Sequence, residues 1–249
     1  MNKLIVFFAA TVALTAAFGE MDAAKKALFE QRTGGFIIRP NTAKGKLAVI
    51  NAQTTFPLSV AKAIAANLQK ETQICVDVTE RTGVTSATAS AALRETGAAA
   101  AVILTDLGDG QPSILAAPDN NWAMVNVAAL GNDAELAKKE ALRAMVMCSG
   151  GYLSQVPITL MGPFRNLKQV KAIPTDRLPA DSVMKMKNYL KEYGVEPYQM
   201  TVYMKACREG WAPAPTNEFQ KAIWEKVHTP PSKPLKITYD KGKQKPVVK

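Results

Sequence analysis

Residues 140–155 read EALRAMVMCSGGYLSQ and bring a cysteine, a serine and two glycines to the end of an amphipathic run. A nucleophilic Cys148 would need a nearby base, and the chain's one histidine, His228, lies in a basic C-terminal stretch. A helix C-terminus also carries the negative end of the helix dipole, which raises a thiol pKa instead of lowering it. Two readings of Cys148 follow: a buried small hydrophobe or half of a disulfide, with Cys207 as a partner, and the nucleophile of a hydrolase.

Metal chemistry meets a supply limit. One histidine cannot build a zinc site from imidazoles within a single chain. Cys75, Cys148 and Cys207 are 73 and 59 residues apart, without CxxC spacing. No metal and no cofactor are expected. The glycine-containing segments LGDGQPS and SGGYLS match neither phosphate-loop pattern. Asp106 and Asp109, in TDLGDG, stand just past an expected strand end, where α/β ligand sites gather. Asp-Gly is also the residue pair of tight turns. A carboxylate pair in a hydrolase and plain turn chemistry both fit.

The elements that must position these residues can be read from periodicity. KGKLAVINAQ (44–53) is an expected buried strand, followed by a helix from Pro57 with Val60, Ile64, Ala65 and Leu68 on one face. QICVDVTE is a strand, SATASAALRETG a helix stopped by Gly97, and AAAAVILT another buried strand. Two strands flank the turn Pro118–Asn121, and a helix capped by Asn132 or Asp133 runs to the glycine pair. The order β-α-β-α-β-β-β-α predicts a three-layer α/β fold with a mixed sheet and helices on its faces, followed by a mainly helical C-terminal region. In that region ADSVMKMKNYLKEYG and EPYQMTVYMKACREG are read as helices. A third helix starts near Asn217, with Gln220 suited to a capping box. Trp211, Phe219 and Trp224 are read as docking this last helix.

With 249 residues and 47% hydrophobic content, the chain can bury a sizeable core. Its net charge of +10 is unevenly placed: residues 221–249 carry eight lysines against Glu225 and Asp240. A basic tail that could touch an anionic surface explains this better than a nucleic-acid groove. The opening MNKLIVFFAATVALTAAFGE has a lysine, a short apolar run and small residues at Ala17 and Gly19, the features of a signal peptide. The apolar run is short for a span, so the mature chain is expected to lack a transmembrane segment and to be exported, periplasmic or secreted. The expected division is a signal peptide at 1–19, an N-terminal extension at 20–43, an α/β domain at 44–165, a helical region at 166–228 and a basic tail at 229–249.

Residues 44–165 resemble the archaemetzincin branch of the zinc metallopeptidases. AVILTDLGDGQPSILAAPDNNWAMVNVAAL is similar to that family's strand, turn, edge strand and following strand. KKEALRAMVMCSGGYL stands where the family places its zinc helix with HExxHxxGxxH, and ITLMGPF, with Met161, is similar to the Met-turn. Lys139-Glu140 fits as well. The resemblance implies a metzincin-like fold, yet the ligands depart from it. With Gly150 on the motif glycine, Arg143, Met147 and Leu153 take the three histidine positions and Ala144 that of the base. With Gly151 there, the positions fall on Ala144, Cys148 and Ser154, with Met145 at the base. The resemblance therefore implies an exported pseudopeptidase, a relative of bacterial type. Its cleft would take a peptide or protein partner by strand addition near Asn120, Asn121 and Trp122.

Overall fold

The computed structural model describes residues 23–53, 56–108, 110–151, 154, 156 and 159–229, together with the backbone of two strands at 237–239 and 246–248. The signal-type segment at 1–19 lies outside the described residues. By compactness the described residues form two units, one of 38–200 and one of 23–37 with the described residues from 201 onward. The expected boundaries at 43/44 and 165/166 follow composition and element character instead.

The larger unit is built on five strands: β2 (Leu47–Asn51), β3 (Val76–Glu80), β4 (Ala100–Thr105), β5 (Ile114–Ala117) and β6 (Trp122–Asn126). Their order is β3-β2-β4-β6-β5. Three neighbouring pairs are parallel, and β5 runs antiparallel to β6 at the outer edge. The mixed sheet is the predicted one. Strands β2, β4 and β6 are buried along their whole length, as a sheet covered on both faces requires, which is why they read as continuous apolar runs.

The two faces carry separate cores. Leu47, Val49, Val102, Leu104 and Val125 meet Ile64 and Leu68 of α2 (Leu58–Thr72) and Leu142 and Met145 of α4 (Ala134–Cys148). Ala48, Ile50, Ile103 and Met124 meet Ala89, Ala92 and Leu93, which belong to α3 (Ala89–Thr96). This alternation within each strand makes the three layers. Helix α4 starts at Asp133, whose side chain accepts from the N–H groups of Glu135 and Leu136. It then runs through the core: from Leu136 to Val146 every residue but Lys138 is buried.

Beyond Gly151 the larger unit holds α5 (Leu167–Ala172), which the periodicity did not indicate, and α6 (Ala180–Glu192). The segment EPYQMTVYMKACREG is not one helix. It contains strand β7 (Met200–Val202) and a short helix α7 (Tyr203–Arg208), and β7 pairs with β1 (Phe36–Ile38). Thr201 and Val202 are β-branched, which favours the extended backbone over the helix here.

The smaller unit contains α1 (Ala23–Thr33), α7 and α8 (Glu218–His228). Asn217 caps α8 by accepting the Gln220 N–H at 2.9 Å. Gln220 does not complete the expected box. Its Oε1 accepts from the Thr216 N–H, one residue before the cap, and its Nε2 donates to the Gly34 carbonyl. In the basic tail, β8 (Ile237–Tyr239) and β9 (Pro246–Val248) pair antiparallel. Lys233, Lys236, Lys241, Lys243, Lys245 and Lys249 lie outside the described residues. No helix among the described residues is long and apolar enough to cross a membrane.

Candidate functional site

The helix end that opened the sequence analysis closes by a backbone device. Gly150 has φ +75°, and the Gly151 N–H returns to the Val146 carbonyl at 2.9 Å, the six-to-one bond of a Schellman turn. Neither glycine leaves room for a side chain. A Cβ on Gly150 would fall 2.4 Å from Tyr189 Cγ, and one on Gly151 would fall 2.2 Å from Val146 Cγ1. The Tyr189 ring of α6 thus lies directly on Gly150. Its hydroxyl donates to Asn121 Oδ1 at 2.6 Å and lies 3.0 Å from the Tyr193 hydroxyl.

One turn and a half earlier, Arg143 sits in the core with 8% of its surface exposed. Its Nη1 donates to the carbonyls of Leu160 at 2.8 Å and Gly162 at 3.3 Å, on either side of the fully buried Met161. Its Nε lies 3.0 Å from Glu140 Oε1, and its guanidinium stands 4.7 Å from the centroid of the Phe164 ring. The Nε and Oε1 atoms are close but not aligned as a hydrogen bond, so charge attraction holds this contact. Glu140, 2% exposed, uses its other oxygen to accept from the Ser113 hydroxyl at 2.8 Å, immediately before β5. Burial pushes the Glu140 carboxyl up and the Arg143 guanidinium down, and the attraction between them opposes both shifts. The result is a continuous chain of contacts from the edge strand, through α4, to the turn around Met161. The Ser154 N–H donates to the Met161 carbonyl at 2.7 Å.

Of the residues singled out in the sequence, Arg143 and Met161 are brought together, through the carbonyls that flank the methionine. Met147 is half-buried against the same core, and Leu153 lies outside the described residues. Cys148 is fully buried, and burial pushes its thiol up to about 12. A nucleophilic role at neutral pH is therefore corrected to a core residue, as its contacts with the Ala101 and Met145 carbonyls indicate. The Cys148–Cys207 disulfide left open above is not formed: all three cysteines are free. Asp106 is exposed, and its Oδ1 accepts from the Gly108 N–H at 2.7 Å, so it shapes its own turn. Asp109 lies outside the described residues. Trp122 is 6% exposed on β6, an interior strand, and donates to Ser90 Oγ at 3.0 Å. Asn121 is held by Tyr189, so of these three residues only Asn120 is exposed. His228 stacks on Trp224 within α8. Among the described residues no three His, Cys, Asp or Glu side chains converge to hold a metal.

Glu140, Ser113, Phe164 and Tyr189 were not assigned these contacts from sequence. For Glu140 and Arg143 a signal was available: an acid and a base three residues apart in a stretch, 140–148, that is otherwise apolar. Ser113, Phe164 and Tyr189 meet the site only through tertiary packing.

The chain is similar to a solved archaemetzincin from Methanopyrus kandleri, at 16% identity and a TM-score of 0.48 over 62% of this chain and 99% of that one. It is also similar to a zinc-dependent peptidase from Methanocorpusculum labreanum, at 12% identity and a TM-score of 0.44 over 56% of this chain and 99% of that one. No protein-family model matches the chain. No curated protein matches it.

Two outcomes follow from the buried pair and the buried thiol. Arg143→Met leaves Glu140 charged and unpaired in the core and lowers unfolding stability by about 3–5 kcal/mol in urea titrations. The double variant Glu140→Leu/Arg143→Met recovers a large part of that loss. Single costs near zero would mean the pair is not what joins α4 to the 160–162 segment. Cys148 resists a maleimide probe in native protein at neutral pH and reacts only after denaturation. Rapid native labelling, located by mass spectrometry, would contradict its placement.

Proposed function

We propose that the chain is an exported, non-catalytic protein that binds an extended peptide segment along the outer edge of β5. The carrying observation is the geometry of that edge. The Asn126 N–H donates to the Ser113 carbonyl, and Leu115 pairs with Met124 and Ala117 with Trp122. The alternation of an antiparallel ladder then directs the N–H and C=O groups of Ile114 and Ala116 away from β6. Among the described residues no strand pairs with this side. A partner in extended form can complete those bonds, the mode of recognition known as strand addition.

The peptidase resemblance adds the location, because such a strand borders the cleft of that family. The non-catalytic half of the reading rests on residue types. Where the motif calls for imidazoles the chain carries Arg143 and Met147, and the Arg143 guanidinium is already engaged by Glu140 and two carbonyls. A fixed cation at that place can neither ligate a metal nor take a proton at neutral pH. Export rests on the signal-type composition of residues 1–19.

Peptides selected by display against the full mature chain should bind it and lose at least tenfold in affinity on Ala116→Pro. Proline there removes one outward N–H and spares the ladder to β6. Selected peptides that bind the variant equally would sink the edge assignment. One equivalent of zinc in protein purified without chelators would sink the non-catalytic half. For export, N-terminal sequencing of the mature protein should begin at Glu20, and an intact Met1 on the mature chain would contradict a cleaved leader.

A further inference from the structure

A concavity lies in the larger unit, where the C-terminal half of α2, the first turns of α4 and the connector after α5 meet. It has a volume of about 620 Å³, within the range of small-molecule sites, and its walls include Lys70, Glu71, Glu135, Lys139, Lys171 and Arg177. Lys139 is 8% exposed. Its ammonium donates to the carbonyls of Lys171 at 3.1 Å and Ile173 at 2.5 Å, which end α5. Those bonds use two of its three N–H donors, and among the described residues no carboxylate lies within ion-pair distance of it.

The nearby acids are committed elsewhere. Glu135 and Asp176 both hold Lys138, at 2.7 and 2.6 Å, and Asp133 holds Lys171 at 2.6 Å. Glu71 accepts the Leu178 N–H at 3.1 Å. Burial pushes its carboxyl up, against that hydrogen bond and the pull of Lys70 and Arg177. Lys70 and Arg177 form no ion pair among the described residues. The cleft therefore presents three cations without carboxylate partners, on three different elements, and one acid that is not in an ion pair. One cation at the buried end and two toward the exposed rim suit two separated anionic groups better than one compact phosphate.

We propose that this cleft is a binding site for a small organic dicarboxylate, with Lys139 at its buried end and Lys70 and Arg177 at its rim. The site is independent of the β5 edge and stands whether or not that edge binds peptide. Succinate is the probe, added to the full mature chain at low ionic strength and followed by calorimetry and by the thermal midpoint. It should bind at one site and raise the midpoint, while neutral succinamide does neither. The double variant Lys70→Gln/Arg177→Gln changes only side chains outside the core and should weaken succinate at least tenfold with an unchanged circular-dichroism spectrum. Lys139→Met tests the buried end and is read only if its spectrum matches wild type. Equal stabilisation by sodium chloride at matched ionic strength, unchanged affinity in the double variant, or tighter binding of inorganic phosphate than of succinate would each overturn the assignment.

Discussion

Removing a guanidinium from water is costly, and a protein keeps one inside only when charge and hydrogen bonds replace the lost hydration. Arg143 meets that condition by drawing on two pieces of chain, its own helix and the 160–164 segment. Glu140 supplies the opposite charge, Leu160 and Gly162 supply carbonyls, and Phe164 supplies an aromatic face. Through Glu140 the requirement reaches Ser113 and so the start of β5. The 160–164 segment has no regular secondary structure to fix its backbone, and this cation orients two of its carbonyls. The placement of Met161 in the core follows from the same contacts.

Helix α4 is consequently more than one face of a layer. An ordinary surface helix buries a stripe and shows the rest to water. Here sheet, α2 and the 160–164 segment enclose it, so polar residues in its middle had to find partners inside. Lys139 and Arg143 find carbonyls, and Glu140 finds Arg143 and Ser113. At its end the chain turns within a space that tolerates no Cβ, since Val146 and Tyr189 occupy it. The glycine pair that suggests chemistry is thus accounted for by packing and by the left-handed backbone at Gly150.

The parts of this fold that were legible in the sequence are those with a simple period. The buried runs of β2 and β4, the spacing of Ile64, Ala65 and Leu68, and the Asp133 cap all announce themselves locally. The helix read across 196–210 failed because Thr201 and Val202 extend the chain where local apolar spacing permitted a helix. At the site, residue types were enough to question imidazole chemistry, but the role of Arg143 depends on carbonyls 17 and 19 residues away in sequence. The resemblance puts Trp122 beside the edge that would take a partner. Its strand lies inside the sheet, covered by β5. Which strand is outermost is a property of strand order, and one sequence does not print strand order.

Strand β5 is only four residues long and has α4 behind it. Any sheet edge invites copies of the same chain to stack on one another, and long flat edges seed fibrils. Two outward-facing residues, Ile114 and Ala116, offer too short a template to extend a sheet from molecule to molecule. Side-chain complementarity must therefore supply much of the hold on any extended neighbour.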